Sequence, residues 1–183
     1  MQSEVIFAGF GGQGVLFSGQ ILAFAGMDAG KEVTWMPSYG PEMRGGTANC
    51  TVVIADEEIG SPLVQHPAAA VIMNLPSLDK YESQIAKGGT LIVNASLVNR
   101  EVQRTDLDVV MIPAQEIAES IGNRRLMNIV MLGALLQRKA IMPLEDIEQA
   151  LNNHLPERHR RMLPANIQAL RAGAAFARGE QVI

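Results

Sequence analysis

The chain has 183 residues, 48% of them hydrophobic and 19% charged, which suits a single domain with a substantial core. Its formal net charge of −4 at pH 7 lacks the basic footprint of a nucleic-acid-binding protein, so we expect no nucleic-acid partner. One cysteine, Cys50, excludes an intramolecular disulfide, and it cannot supply the roughly four thiolates that an iron–sulfur cluster needs.

The N-terminal part of the chain predicts a βαβ unit. A short apolar run predicts a strand over residues 4–8, and a glycine-rich turn follows at 9–14. A helix is predicted over 15–29, ending at Gly30, and a second strand over 31–36. The N-terminal residues do not contain a basic segment followed by an apolar one, so no signal peptide is indicated. No apolar run is long enough to cross a membrane. We therefore expect a cytoplasmic protein without a membrane partner.

The predicted helix over 15–29 is apolar on two sides. Gly19 and Gly26 lie on one side, where their small size would let the helix approach the sheet closely. The other side carries larger apolar residues, namely Phe17, Ile21 and Phe24. This second side requires a cover, which could be a neighbouring helix or a partner subunit.

Residues 47–55 alternate between apolar and polar side chains, which predicts a strand with one wetter face near a sheet edge. Cys50 occupies an apolar position of this pattern, so we expect a small core residue and not a nucleophile. Apolar runs predict three further buried strands, at 69–73, 90–93 and 109–112. Helices are predicted over 76–87, 114–121, 127–138, 144–155 and 165–178.

This order of elements predicts an α/β fold with a doubly wound, mostly parallel, Rossmann-like sheet and flanking helices. We expect one domain over 1–183, with an α/β core over 1–140 and C-terminal helices over 141–183. Asn74 and Asn94 each end a predicted strand and are interpreted as turn formers or helix caps. The basic run over 158–161 is interpreted as a solvated surface.

The glycine-rich turn matches the pattern G-x-G-x-x-G at Gly9, Gly11 and Gly14. Between a strand and a helix, this pattern lets a phosphate approach the backbone and the helix N-terminal amides. A nicotinamide site also needs an acidic residue at the end of the second strand, whereas Glu32 lies near its start. The turn therefore favours another phosphate group or a partner subunit over NAD.

A second loop over 37–46 follows the second predicted strand. In a doubly wound sheet it would lie at the carboxyl edge, beside the glycine-rich turn. Tyr39 could stack or donate a hydrogen bond, and Arg44 next to two glycines suits an anion site. A local ion pair between Glu42 and Arg44 in a rigid surface loop explains the same residues. Both interpretations stay open.

Together, the two loops resemble the gamma subunits of 2-oxoacid:ferredoxin oxidoreductases. The first matching motif is Gly9-Phe10-Gly11-Gly12-Gln13-Gly14, and the second is Tyr39-Gly40-Pro41-Glu42-Met43-Arg44-Gly45-Gly46. Shorter matches occur at Gly60-Ser61-Pro62, at Asn128 with Gly133-Ala134, and at Asn166, Ala169 and Gly173. The resemblance covers nearly the whole chain, and its two main motifs occur in the right order.

The resemblance implies a subunit of an enzyme that oxidatively decarboxylates a 2-oxoacid with coenzyme A and passes the electrons to ferredoxin. Thiamine diphosphate, magnesium and iron–sulfur clusters would belong to partner subunits, since this chain has neither a Gly-Asp-Gly thiamine motif nor enough cysteines. The implied partners are alpha and beta subunits, with a delta subunit as a further candidate, ferredoxin indirectly, and a second copy of the chain in isolation. The chain is not expected to be catalytic alone.

The resemblance also implies roles for individual residues. The turn residues would contact a phosphate, with coenzyme A as the candidate ligand, or a subunit interface: Gly9, Gly11, Gly12, Gln13 and Gly14. The interface or substrate residues would be Ser38, Tyr39, Gly40, Pro41, Glu42, Met43, Arg44, Gly45, Gly46 and Asn128. We expect no metal ligand, because the three histidines are scattered without metal-binding spacing.

Three other interpretations stay open. The small subunit of an indolepyruvate:ferredoxin oxidoreductase has the same kind of glycine turn. A free-standing NAD- or flavin-binding reductase is opposed by the missing ribose-binding acid and by the lack of a clear acid–base pair. A stand-alone nucleotide-binding regulator would bind nucleotide tightly by itself. By resemblance, the expected substrate is 2-oxoglutarate, pyruvate or a branched-chain 2-oxoacid.

Overall fold

A computed structural model of the chain describes residues 1–39 and 46–182. Its strands are β1 (Gln2–Phe10), β2 (Glu32–Tyr39), β3 (Thr47–Ala55), β4 (Ala69–Ile72), β5 (Thr90–Asn94) and β6 (Asp108–Ile112). Its α-helices are α1 (Val15–Asp28), α2 (Leu75–Tyr81), α3 (Ala114–Ser120), α4 (Met127–Arg138), α5 (Leu144–His154) and α6 (Leu163–Ala177). Short 3₁₀ turns lie at Glu82–Gln84, Arg124–Leu126 and Glu157–Met162.

The strands form one six-stranded sheet in the order β2-β3-β1-β4-β5-β6. β1, β4, β5 and β6 are parallel neighbours, whereas β3 runs antiparallel to both β1 and β2. The predicted α/β class with a mostly parallel sheet and flanking helices is confirmed. Because β1, β4 and β5 are parallel, their carboxyl ends meet at one edge of the sheet, where the glycine-rich turn leaves β1.

The position of β3 corrects two predictions. The predicted βαβ unit has β2 two places from β1, because β3 inserts between them and pairs Phe7 with Cys50 and Trp35 with Val52. β3 is therefore an interior strand and not an edge strand. Thr47 is exposed and Thr51 is partly exposed, so β3 has the alternation of apolar and polar residues that is typical of an edge strand.

The edge strand on this side is β2, which is longer than predicted. Ser38 and Tyr39 were predicted to lie in a loop, but they continue β2 opposite Asn49 and Ala48. Pro37 does not end the strand, because an edge strand tolerates a residue without a backbone N–H group.

Helices cover both faces of the sheet unequally. The larger core lies between one face and α1, α3, α4, α5 and α6, and it contains Phe7, Cys50 and Ile92. The smaller core lies on the opposite face under α2 and contains Ile6, Ile72 and Leu78. Successive residues of a strand point to opposite faces of the sheet, and here both faces are buried. The parallel strands therefore appear in the sequence as continuous apolar runs.

The second apolar side of α1 is covered within the chain. Ile21 is buried, and the ring of Phe24 stacks on His154 of α5 with centroids 4.1 Å apart. His154 Nε2 also lies 3.0 Å from the carboxylate of Asp28. Of the two covers predicted for this side, the neighbouring helix is therefore the one found for Ile21 and Phe24.

Helices α4 and α6 cross at unusually close range. A Cβ atom at Gly173 would lie 2.7 Å from the carbonyl carbon of Val130, and one at Gly133 would lie 2.8 Å from that of Leu170. Only glycine fits at these two positions, so the backbones themselves are in contact. This contact fixes α6 against α4, and the first turns of both helices border the site described next.

Candidate functional site

The glycine-rich turn ends at the N-terminus of α1. Gly14 is the N-cap residue with a φ of 77°, in the left-handed region that favours glycine. Among the described residues no side chain caps this helix, so the first amides of α1 have neither intrahelical acceptors nor a capping oxygen from that part of the chain. Such amides, together with the positive end of the helix dipole, favour an anion.

Asn128 holds the end of this turn from the side. Its Nδ2 donates a hydrogen bond to the carbonyl oxygen of Gly14 at 3.1 Å, although Asn128 belongs to the first turn of α4. A Cβ atom at Gly14 would lie 2.7 Å from Asn128 Cγ, so Gly14 also makes room for this side chain. The structure therefore brings together two residues that the sequence only suggested separately.

Gln13 folds back onto its own turn. Its Oε1 accepts a hydrogen bond from the Phe10 amide at 2.6 Å, and its backbone amide donates to Phe10 O at 3.2 Å. The side chain packs over Gly9, where a Cβ atom would lie only 2.9 Å from Met73 Cβ. Gly9 and Gln13 thus shape the turn, and a direct role for them in binding a cofactor stays a prediction.

The second predicted loop returns to the glycine-rich turn at its last residue. The amide of Gly11 donates a hydrogen bond to Gly46 O at 2.9 Å, and Ser38 lies in β2 opposite Asn49. The predictions for the intervening residues lie outside the described residues: Gly40, Pro41, Glu42, Met43, Arg44 and Gly45. Their roles stay predictions.

A cleft of about 380 Å³, which we call the basic cleft, opens beside Gly12 and Gly14. Three basic side chains line it: Arg125, Arg158 and His159. None of the described residues that line it is acidic, and neither arginine has a carboxylate partner within the described chain. The basic cleft therefore combines a helix N-terminus with an excess of positive charge, which is suited to phosphate groups.

The remaining lining of the basic cleft is apolar or carries amide groups. Its apolar residues are Phe17, Leu126, Leu155 and Met162. Its buried amide residues are Asn128 and Asn166, each 4% exposed. Apolar walls with a few polar groups are the usual construction of a small-molecule site.

Sequence reasoning missed Arg125, and it interpreted Arg158 and His159 as part of a solvated surface. The interpretation is confirmed in that both residues are exposed, but Arg158 and His159 also line the basic cleft from the 3₁₀ turn Glu157–Met162. A short 3₁₀ turn has no extended hydrophobic periodicity, so the sequence did not indicate which of its side chains border the cleft. The only available signal was a dense basic run in an acidic chain.

Cys50 lies beneath the start of α1, with its Sγ 3.7 Å from Val15 O. Burial raises the pKa of its thiol to about 12, so the thiolate is not populated near neutral pH. The prediction that Cys50 is a core residue is confirmed. Within residues 1–39 and 46–182, no group of three His, Cys, Asp or Glu side chains could hold a metal ion.

Asn74 and Asn94 lie at the carboxyl ends of β4 and β5, as predicted. Asn74 Oδ1 accepts from the Ser77 amide at 2.9 Å and caps α2, and Asn94 Oδ1 accepts from the Ser96 amide at 3.2 Å. Both residues therefore serve as a cap or a turn former, which was the interpretation chosen for them.

The model of the family described as pyruvate ferredoxin/flavodoxin oxidoreductase matches residues 4–176. The chain belongs to this family. The resemblance inferred from the two glycine loops is confirmed. In this chain β3 takes the place beside β1 that a dinucleotide-binding fold gives to its second strand.

Two curated relatives illustrate the family. Ketoisovalerate oxidoreductase subunit VorA of Methanothermobacter thermautotrophicus is 37% identical over 176 residues, which are 96% of this chain. The chain spans only 36% of the length of that relative. 2-Oxoglutarate synthase subunit KorC of Methanocaldococcus jannaschii is 38% identical over 160 residues and matches 86% of both chains.

Two solved structures share the fold. The gamma subunit of a keto/oxoacid ferredoxin oxidoreductase from Geobacter sulfurreducens has a TM-score of 0.82 at 28% identity, covering 97% of this chain and 99% of that one. A 2-oxoglutarate:ferredoxin oxidoreductase from Magnetococcus marinus has a TM-score of 0.86 at 22% identity, covering 100% of this chain and 32% of that one. The latter was solved with 2-oxoglutarate, coenzyme A and succinyl-CoA bound.

In the part of this family member that the structure describes, no helix is both long and apolar enough to cross a membrane.

Proposed function

We propose that this chain is the gamma subunit, or gamma-type domain, of a 2-oxoacid:ferredoxin oxidoreductase. The enzyme would oxidise and decarboxylate a 2-oxoacid, transfer the acyl group to coenzyme A and pass the electrons to ferredoxin. Relatives named as subunits of ketoisovalerate, 2-oxoglutarate and pyruvate enzymes support this role. This chain matches 86% of the length of KorC but 36% of the length of VorA, so relatives of both lengths contain a unit of this kind.

The chemistry at the 2-oxoacid would be carried by partner subunits. The residues of this chain do not fit an iron–sulfur cluster, because its single cysteine is buried and its thiol pKa is raised to about 12. The chain also has no Gly-Asp-Gly stretch to hold thiamine diphosphate with magnesium. Alpha, beta and delta subunits would supply these groups, and ferredoxin would dock on one of those partners.

The basic cleft would assist the reaction by holding the phosphate groups of coenzyme A. The observation that carries this proposal is the meeting of Arg125 and Arg158 with the uncapped N-terminus of α1 at one cleft. Oxoanions of a diphosphate would accept hydrogen bonds from the arginines and the helix amides. The coenzyme A present in the Magnetococcus marinus enzyme is consistent with this ligand.

The test is anaerobic affinity purification of the tagged chain from its own host. We expect partner subunits to co-purify with thiamine diphosphate and iron, and the complex to oxidise a 2-oxoacid only when coenzyme A is present. The preferred 2-oxoacid would then define the enzyme. Recovery of the chain alone, with tight NAD binding and no oxoacid oxidation, would contradict the proposal.

A further inference from the structure

The basic cleft contains two buried amide side chains whose oxygen atoms are unused. Asn128 and Asn166 are each 4% exposed, and both line the basic cleft. Asn128 comes from the first turn of α4 and Asn166 from the first turn of α6. Two polar side chains that are almost completely buried and still border an open cleft indicate a site built for a ligand.

Hydrogen bonds fix the orientation of both amides. Asn128 Nδ2 donates to Gly14 O at 3.1 Å, and Asn166 Nδ2 donates to Met162 O at 2.8 Å. A backbone carbonyl only accepts, so in each side chain the nitrogen must face the protein. The Oδ1 atoms make no hydrogen bond within the described residues. They are therefore the atoms of these side chains that can accept hydrogen bonds from a ligand in the basic cleft.

The rest of the lining narrows the kind of ligand. Arg125 and Arg158 attract negatively charged groups, whereas Asn128 Oδ1 and Asn166 Oδ1 accept hydrogen bonds and attract N–H donors. A simple anion such as pyrophosphate satisfies only the arginines. A ligand that carries both phosphate and N–H groups satisfies both sets.

We propose that Asn128 and Asn166 form a pair of acceptors that selects phosphorylated ligands with N–H donors over simple phosphates. This proposal rests on the proposed function and deepens it, because coenzyme A carries such donors in two places. The first place is the adenine ring, which has an exocyclic amine, and the second is the pantetheine arm, which has two amides. Apolar contacts from Phe17, Leu126 and Met162 suit either moiety.

The test is calorimetric binding of three ligands to the isolated full chain: pyrophosphate, adenosine 3′,5′-bisphosphate and coenzyme A. We expect coenzyme A to bind at least about tenfold tighter than pyrophosphate. Asn166→Leu keeps the approximate volume of the side chain but removes the acceptor, so it should weaken coenzyme A by about tenfold and leave pyrophosphate unchanged. A parallel loss with adenosine 3′,5′-bisphosphate assigns the donor to adenine, and a loss confined to coenzyme A assigns it to the pantetheine arm.

Equal affinity of the wild-type chain for pyrophosphate and coenzyme A would overturn the proposal without any variant. An equal loss of both ligands in folded Asn166→Leu would also overturn it. Neither result touches the assembly and activity of the complex, so failure of this selection is distinguishable from failure of the proposed function. Thermal unfolding of the variant identifies any general loss of structure.

Discussion

Asn128 Nδ2 donates a hydrogen bond to Gly14 O at 3.1 Å, joining two residues that are 114 positions apart in sequence. The bond ties the first turn of α4 to the N-cap of α1. The position of the glycine-rich turn therefore depends on the helical layer as well as on β1. The affinity of this turn for a ligand would consequently depend on how α4 and α6 are packed.

Gly11→Ala separates the binding role of the glycine-rich turn from its structural role. Among the described residues, the nearest neighbour of a Cβ atom at Gly11 would be Gly46 O at 3.8 Å, and Gly11 is not among the residues with positive φ. We therefore expect the free energy of unfolding to change by less than about 1 kcal/mol. The added methyl group would block close approach to the backbone, so coenzyme A binding or assembly with the partner subunits should weaken.

Calorimetry and denaturant unfolding of Gly11→Ala provide both readouts. Gly60→Ala is the matched control, because a Cβ atom there meets no described residue within 4 Å. Unchanged coenzyme A affinity and unchanged assembly in Gly11→Ala would show that no ligand or partner approaches this part of the turn.

Arg158→Ala should weaken coenzyme A binding by about 10- to 100-fold, as expected for loss of a charge-assisted hydrogen bond to phosphate. Arg161→Ala is the control from the same basic run, because Arg161 does not line the basic cleft. The affinity difference between the two variants should shrink as salt is raised. Equal effects of the two substitutions would mean that the chain attracts coenzyme A only through its general surface charge.

Glu82 should make stability depend on pH. Burial alone would raise the pKa of its carboxylate, but hydrogen bonds from the Arg104 amide, the Arg100 side chain and the Gln103 amide outweigh burial and lower it below the ordinary value of 4.5. The ionised form therefore stabilises the fold above about pH 4.5, and this contribution is lost as the pH falls through the lowered pKa.

Denaturant unfolding of Glu82→Gln across this pH range tests the argument. We expect a loss of about 1–3 kcal/mol near neutral pH that shrinks in acid, because the wild-type carboxylate is then protonated. Glu101→Gln is the control, since the exposed Glu101 carboxylate makes no hydrogen bond within the described residues. A loss from Glu82→Gln that stays constant with pH would refute the assignment.

Gly173→Ala should destabilise the crossing of α4 and α6. The new Cβ atom would overlap the Val130 carbonyl group, lying 2.7 Å from its carbon, and neither helix backbone can yield cheaply. We expect a loss of about 1–3 kcal/mol or more, although alanine is the better helix former. Thermal unfolding should show a lower midpoint for Gly173→Ala than for Gly60→Ala, and equal midpoints would contradict the close crossing.

The sequence predicted the elements well where local signals determine them. The apolar run of α4 gave both ends of the helix, Met127 and Arg138, and the glycine-rich turn was found between its strand and helix. The place of β3 was not predictable in this way, because alternation reports which faces are buried and not which strand is the neighbour. Pairing between residues far apart in sequence, such as Phe7 with Cys50, puts β3 beside β1.

The candidate site was predicted in part for the same reason. The glycine-rich turn is contiguous in sequence, so its motif was visible. Arg125, Arg158 and Asn166 reach the same cleft from two 3₁₀ turns and a helix, and no spacing in the sequence connects them. Their convergence depends on the close crossing of α4 and α6, which is a property of the packed fold.

The insertion of β3 between β1 and β2 has a consequence for synthesis on the ribosome. β1 and β2 are made first, yet they have no hydrogen bonds to each other in the finished sheet. Until residues 47–55 emerge, both strands lack the neighbour that joins them, and α1 lacks part of the surface on which it packs. A nascent chain that stops before Thr47 should therefore remain unfolded and expose the apolar residues of α1 to chaperones.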